Sequence, residues 1–177
     1  MKCGLLYLSQ ESCLLGDLSY HSYEGLVVES SERETIAKDL GVHNKVMLLR
    51  NHGAVCCGET IEEALFYAYH LVLACDTQLK MVRIHSYLST LVHRNIEAVK
   101  PNSLSSNLIY TLFQVPLGID NLITIDEPTR RKVFERAQRG GGGVNSKDSA
   151  EGSKKVWGVG EMEFEAHMRM LDNAVSN

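Results

Sequence analysis

Hydrophobic and polar positions change their period several times along the chain, and each change marks an element. Val46-Met47-Leu48-Leu49 is a short continuous apolar run, the signature of a buried strand. Arg50-Asn51-His52-Gly53 is a polar turn, after which Ala54-Val55-Cys56-Cys57-Gly58 resumes as a second strand. So short a connection implies an antiparallel pair. From Ile61 the period lengthens. Ile61, Ala64, Leu65, Ala68, Leu71, Val72, Cys75 and Leu79 recur at helical spacing and predict a core-facing stripe. Thr60-Ile61-Glu62-Glu63 is a capping box, with Thr60 as N-cap and Glu63 at N3, each satisfying an orphan N–H of the first turn.

Weaker patterns flank this block. Residues 1–17 predict a loop with one helical turn capped by Ser9. Leu18 to Val28 predicts one or two short strands bent at Gly25. Ser30 and Ser31 lead into a helix over Glu32 to Leu40, stopped by Gly41. Asn121 to Ile125 predicts a strand, and Glu127 to Arg139 a polar helix with a basic end. Gly140 to Gly143 and the Ser/Lys/Asp/Gly stretch to Lys155 predict a flexible linker. Glu161 to Asn173 predicts a helix whose stripe is Phe164, Met168 and Leu171.

Composition narrows the function classes. The chain has 177 residues, 44% hydrophobic and 23% charged, as expected of an ordinary globular domain. A net charge of −4 gives no basic excess to favour nucleic acid. No apolar run reaches bilayer length, and the N-terminal stretch is too short and polar for a signal peptide. Cys3, Cys13, Cys56, Cys57 and Cys75 form an odd set without framework spacing. They read as buried small hydrophobes in a reducing compartment, which predicts a cytoplasmic protein.

His52 is the one residue that stands out chemically. It sits in a tight turn beside Gly53, which admits close approach of a backbone or ligand. An imidazole so placed suits a metal ligand, but zinc needs at least three protein ligands. No His-x-His, Cys-x-x-Cys or His-Glu-x-x-His accompanies it. His21 and His70 read as sheet and helix residues, and His43, His85, His93 and His167 lie in polar contexts. Gly140 to Gly143 neither follows a strand nor opens a helix, so it is no phosphate cradle. Glu62 and Glu63 are explained by capping. The basic cluster around Arg130 reads as a solvated helix face, with binding of an acidic partner as the alternative.

Leu49-Arg50-Asn51-His52-Gly53, followed by Gly58-Glu59-Thr60-Ile61-Glu62-Glu63-Ala64, resembles the last metal-histidine motif of the class II aldolase/adducin family. Within that family, Met1 to Leu6, Tyr20 to Gly25 and Trp157 to Asn173 are similar to adducin heads, their C-terminal part. The similarity covers residues 1–81 and 115–177. It implies an α/β fold, a partial three-layer α/β/α class II aldolase-like domain around a mostly antiparallel sheet. In the aldolases of this family an upstream His-x-His pair joins the histidine equivalent to His52 on zinc, which polarises the substrate. That pair and the acidic catalytic residue would lie before the start of this sequence. Only His52 carries over, as a vestigial candidate ligand. The expectation is no catalytic residue and no cofactor, with zinc only if a longer chain restores the missing ligands.

The resemblance stops at Met81 and resumes at Val115. Val82 to Gln114 opens on Val-Arg, which GTAAGA encodes, and closes on Tyr-Thr-Leu-Phe-Gln, which a pyrimidine-rich tract ending in CAG encodes. Translated intron and lineage-specific insertion both fit, and a spliced transcript lacking these codons would decide. Ile84, Leu88, Leu91 and Val92 also keep near-helical spacing, so the segment can extend the Thr60 helix until Pro101. The implied organisation is a partial head domain over 1–137 with 82–114 inserted, a linker over 138–156, and a closing helix segment over 157–177.

By the same resemblance the expected function is a non-enzymatic cytoskeletal scaffold supporting spectrin–actin assembly. Actin, spectrin and adducin-like chains in homo- or hetero-oligomers are the expected partners. The expected place is the cytoskeleton, peripheral at the inner face of the plasma membrane. A zinc-dependent aldolase acting on a sugar phosphate and a fragment without independent function are the alternatives.

Overall fold

The computed structural model describes residues 4–23, 30–98, 122–140 and 157–175, without the side chains of 30–32 and 84–98. Helix α1 (Gln10–Leu14) leads into strand β1 (Leu18–His21), and helix α2 (Ser30–Leu40) into strand β2 (Val46–Leu49). Strand β3 (Gly53–Cys56) follows, then helices α3 (Ile61–Ala98), α4 (Glu127–Ala137) and α5 (Glu161–Val175).

The described strands form a three-stranded sheet in the order β1-β2-β3. β2 and β3 are antiparallel, Val46 opposite Cys56 and Leu49 opposite Gly53, as the tight turn requires. β1 and β2 are parallel, Leu18 opposite Val46 and His21 opposite Leu49. The intervening α2 returns the chain to the same edge, and such a crossover gives parallel strands. The layered α/β class holds, with a mixed sheet over these strands rather than a mostly antiparallel one.

Alternation along the strands assigns the layers. Ser19 and His21 face α2: Ser19 Oγ donates to the Leu40 carbonyl at 2.9 Å, and His21 Nδ1 lies 2.8 Å from Asp39 Oδ2. Leu18, Val46 and Leu48 point the other way, into a core with Leu5, Leu15, Phe66, Tyr67, Leu71, Ala74 and Ala137. Helices α1, α3 and α4 cover that face.

The capping box forms with one change. Glu63 N–H donates to Thr60 Oγ1 at 3.2 Å, but the Glu63 carboxylate accepts from Glu59 N–H at 2.6 Å, one residue before the cap. The buried stripe of α3 is Glu63, Phe66, Tyr67, Leu71, Ala74 and Gln78, with Leu71 the one residue it shares with the predicted stripe. Ile61, Leu65, Val72 and Leu79 are exposed instead. Two adjacent apolar rows run along this helix, and the sheet selects the row carrying the two aromatic rings. Residues 82–98 continue α3, as their spacing allows.

Two further expectations are corrected. The strand expected over Asn121 to Ile125 is irregular over residues 122–125. Ile125 N–H reaches the Tyr7 carbonyl at 2.8 Å and Ile123 is 93% exposed, so one hydrogen bond replaces a ladder. Residues 138–140 are packed rather than linker-like: Gln138 Nε2 donates to Tyr67 OH at 2.9 Å, and a Cβ on Gly140 would overlap the Trp157 carbonyl. Cys3, the bend at Gly25, the imidazoles of His85 and His93, the stop at Pro101, the rest of the segment to Gln114 and the linker over 141–156 lie outside the described residues.

Candidate functional site

The β2–β3 turn carries the sequence-predicted site. His52 N–H donates to the Leu49 carbonyl at 3.1 Å, and Asn51 takes a φ of +58° to close the turn. The left-handed region is tolerated by Asn because its short polar side chain can bond locally. His52 is exposed, and its ring stacks on Tyr23 with centroids 6.5 Å apart and planes at 24°. Among the described residues no three His, Cys, Asp or Glu side chains converge to hold a metal ion. The donors described around His52 do not fit a zinc site.

Beside the turn, a groove of ≈ 600 Å³ opens between the sheet and α3. Leu48, Cys75 and Leu79 give it an apolar floor, and Tyr20, Arg50 and Gln78 its polar groups. Those polar groups are engaged. Tyr20 OH accepts from Leu5 N–H at 3.0 Å, while Gln78 accepts from Leu6 N–H at 2.6 Å and donates to the Gly4 carbonyl at 2.8 Å. The Arg50 guanidinium lies 5.1 Å from the centre of the Tyr20 ring. Burial pushes the Cys75 thiol up from its usual value, so it stays protonated and poorly nucleophilic at neutral pH. Among the described residues that line it, the groove pairs no nucleophile with a base.

The other candidates take structural places. His21 is buried against Asp39 of α2. Arg130 lies 3.8 Å from the centre of the Tyr7 ring and 3.7 Å from Asp17, pinning α4 to the α1–β1 segment. Arg131 pairs with Glu127 one turn away at 2.5 Å. Of the cluster around Arg130, Arg130 itself is therefore turned into the fold, while the Arg131–Glu127 pair lies exposed on the helix surface. Burial pushes Tyr67 up to about 12, partly offset by its bond from Gln138.

The sequence reading missed the arrangement between α3 and α5. Tyr69 meets the His167 ring at 5.2 Å, His70 meets Phe66 at 4.4 Å, and Glu163 faces His70 from α5. The available signal was the i,i+4 spacing of Phe66 with His70 and of Glu163 with His167, which places each pair on one helix face.

Comparison with known proteins agrees with this fold. The Class II Aldolase and Adducin N-terminal domain matches residues 1–79. Across 98% of the chain, protein hu-li tai shao of Drosophila melanogaster is 38% identical and mouse alpha-adducin 39%. The chain belongs to the class II aldolase and adducin family. Rat gamma-adducin is likewise 39% identical over 98% of the chain. This family member spans only 14%, 18% and 20% of the length of these three relatives. An aldolase II superfamily protein from Pseudomonas syringae superposes with a TM-score of 0.61 at 26% identity, covering 98% of this chain and 51% of that one.

Proposed function

We propose that the chain acts as a non-enzymatic cytoskeletal scaffold of the adducin type, supporting spectrin–actin assembly. The observation that carries the reading is the adducin similarity, 33–39% identity across 98% of the chain in fly, mouse, rat and human relatives. The site geometry supports it. His52 stands exposed among the described residues without co-ligands, and the groove beside it offers contact surface rather than a reactive pair.

Its partners are then actin and spectrin, with adducin-like chains as oligomer partners. Its place is the cytoskeleton beneath the plasma membrane. No helix among the described residues is long and apolar enough to cross a membrane. The same reading takes 82–114 as an insertion in the head domain and 157–177 as its closing segment.

The aldolase reading is separated by zinc and turnover. The full chain is dialysed against zinc and assayed for cleavage of a sugar phosphate. The scaffold reading expects no stoichiometric zinc and no turnover. Stoichiometric zinc with turnover lost in His52→Ala would replace it with the enzyme.

A further inference from the structure

The junction between α3 and α5 holds two buried polar atoms without a partner. His70 Nδ1 and Glu163 Oε2 are shielded from solvent and make no hydrogen bond among the described residues. Both side chains line one cavity of ≈ 60 Å³, walled mainly by Phe66, Tyr69, Gly160 and Phe164. With its proton on Nε2, a neutral imidazole presents a lone pair at Nδ1, and a carboxylate presents lone pairs only. Two acceptors facing one space need a donor between them. A water donating to both satisfies them while His70 is neutral, and the cavity has room for one.

We propose that His70 and Glu163 form a proton-operated clasp, which holds α5 on α3 while His70 is neutral and releases it when His70 takes up a proton. The direction follows from the surroundings. His70 is packed edge-on against Phe66 at 4.4 Å and Tyr69 at 5.4 Å, a poor medium for a cation. The carboxylates of Glu163 on α5 and Glu11 on α1 act on it, and Glu62 of α3 and His167 of α5 line the same cavity. His167 Nδ1 lies 2.7 Å from the Glu163 carbonyl. Burial holds His70 below its ordinary value of 6.5, and the two carboxylates offset that only in part. The released state therefore binds the proton more readily than the docked state. Proton uptake leaves docking unaffected well above pH 6.5 and weakens it by up to about tenfold per pH unit as pH falls from there toward the lower docked value.

Trp157, the only tryptophan in the chain, precedes α5 and is half-buried, so its emission reports docking. The full chain is titrated from about pH 8 to about pH 5.5, below which ordinary carboxylates begin to contribute. A red shift of Trp157 emission on acidification is expected. It should be absent in His70→Gln, retained in His167→Gln, and steeper in Glu163→Gln, where only the Glu11 carboxylate remains to offset burial. A red shift that persists in His70→Gln, or disappears in His167→Gln, overturns the clasp. So does a His70 imidazole that titrates at or above 6.5 by NMR in the unaltered chain, a readout independent of how any variant folds.

Discussion

Gln78 shows how one polar side chain organises the chain's beginning. It is 2% exposed within the buried row of α3 and bonds both Leu6 N–H and the Gly4 carbonyl. Truncation to alanine removes both of these bonds at a half-buried place. Gln78→Ala is expected to cost about 1–3 kcal/mol in urea unfolding; an unchanged midpoint would mean that the N-terminal segment is held by packing alone. Gly160 acts through its backbone. It has a φ of +73°, and a Cβ there would overlap the Glu62 carbonyl and approach Phe66 Cβ to 2.7 Å. Gly160→Ala is therefore expected to loosen α5, seen as faster hydrogen exchange in that helix than elsewhere. Neither role was legible in the sequence, where Gln78 breaks an apolar spacing and Gly160 is one of 14 glycines. Each is defined by what lies across from it, and local patterns carry no such information.

At the scale of elements, patterns set by neighbours in sequence were readable. The β2–β3 pair, the α3 capping box and helices α2, α4 and α5 all depend on contacts within a few residues. The buried row of α3 depends on which of two adjacent apolar rows meets the sheet, so spacing chose the wrong one. The irregular stretch at 122–125 has the alternation of a strand but only the Tyr7 carbonyl as a described backbone partner. Helix α4 starts at Asp126, whose Oδ1 accepts from Thr129 N–H at 2.7 Å. The Thr129 side chain first, and then this backbone bond, hold the Asp126 carboxyl below its ordinary value of 3.8. A lowered carboxyl stabilises above its unfolded value and loses that contribution as pH falls through its folded one. The Thr129 amide should therefore exchange faster in Asp126→Ala than in the native chain. Equal rates would place the start of α4 under the control of Pro128 instead.

The described residues together leave apolar surface exposed. Ile61 is 76% exposed, Val72 66% and Leu79 49% along α3, and Met170 is 68% and Leu171 58% exposed on α5. Exposed apolar side chains of this size favour association where they adjoin one another. The chain expressed alone is expected to self-associate with rising concentration in analytical ultracentrifugation, and Val72→Glu with Leu79→Glu should reduce this without unfolding it. A monodisperse monomer would show that these side chains need no cover. The α/β class and the turn that carries His52 were legible because strand and turn chemistry are local. The α3–α5 junction was not, because it joins residues about ninety positions apart, a separation that helical periodicity does not address.

The scaffold reading is tested most directly by co-sedimentation of the full chain with actin filaments in the presence and absence of spectrin. The account predicts that the chain pellets with the filaments and increases the spectrin recovered with them. A chain that stays in the supernatant at every filament concentration, with spectrin recovery unchanged, would contradict it.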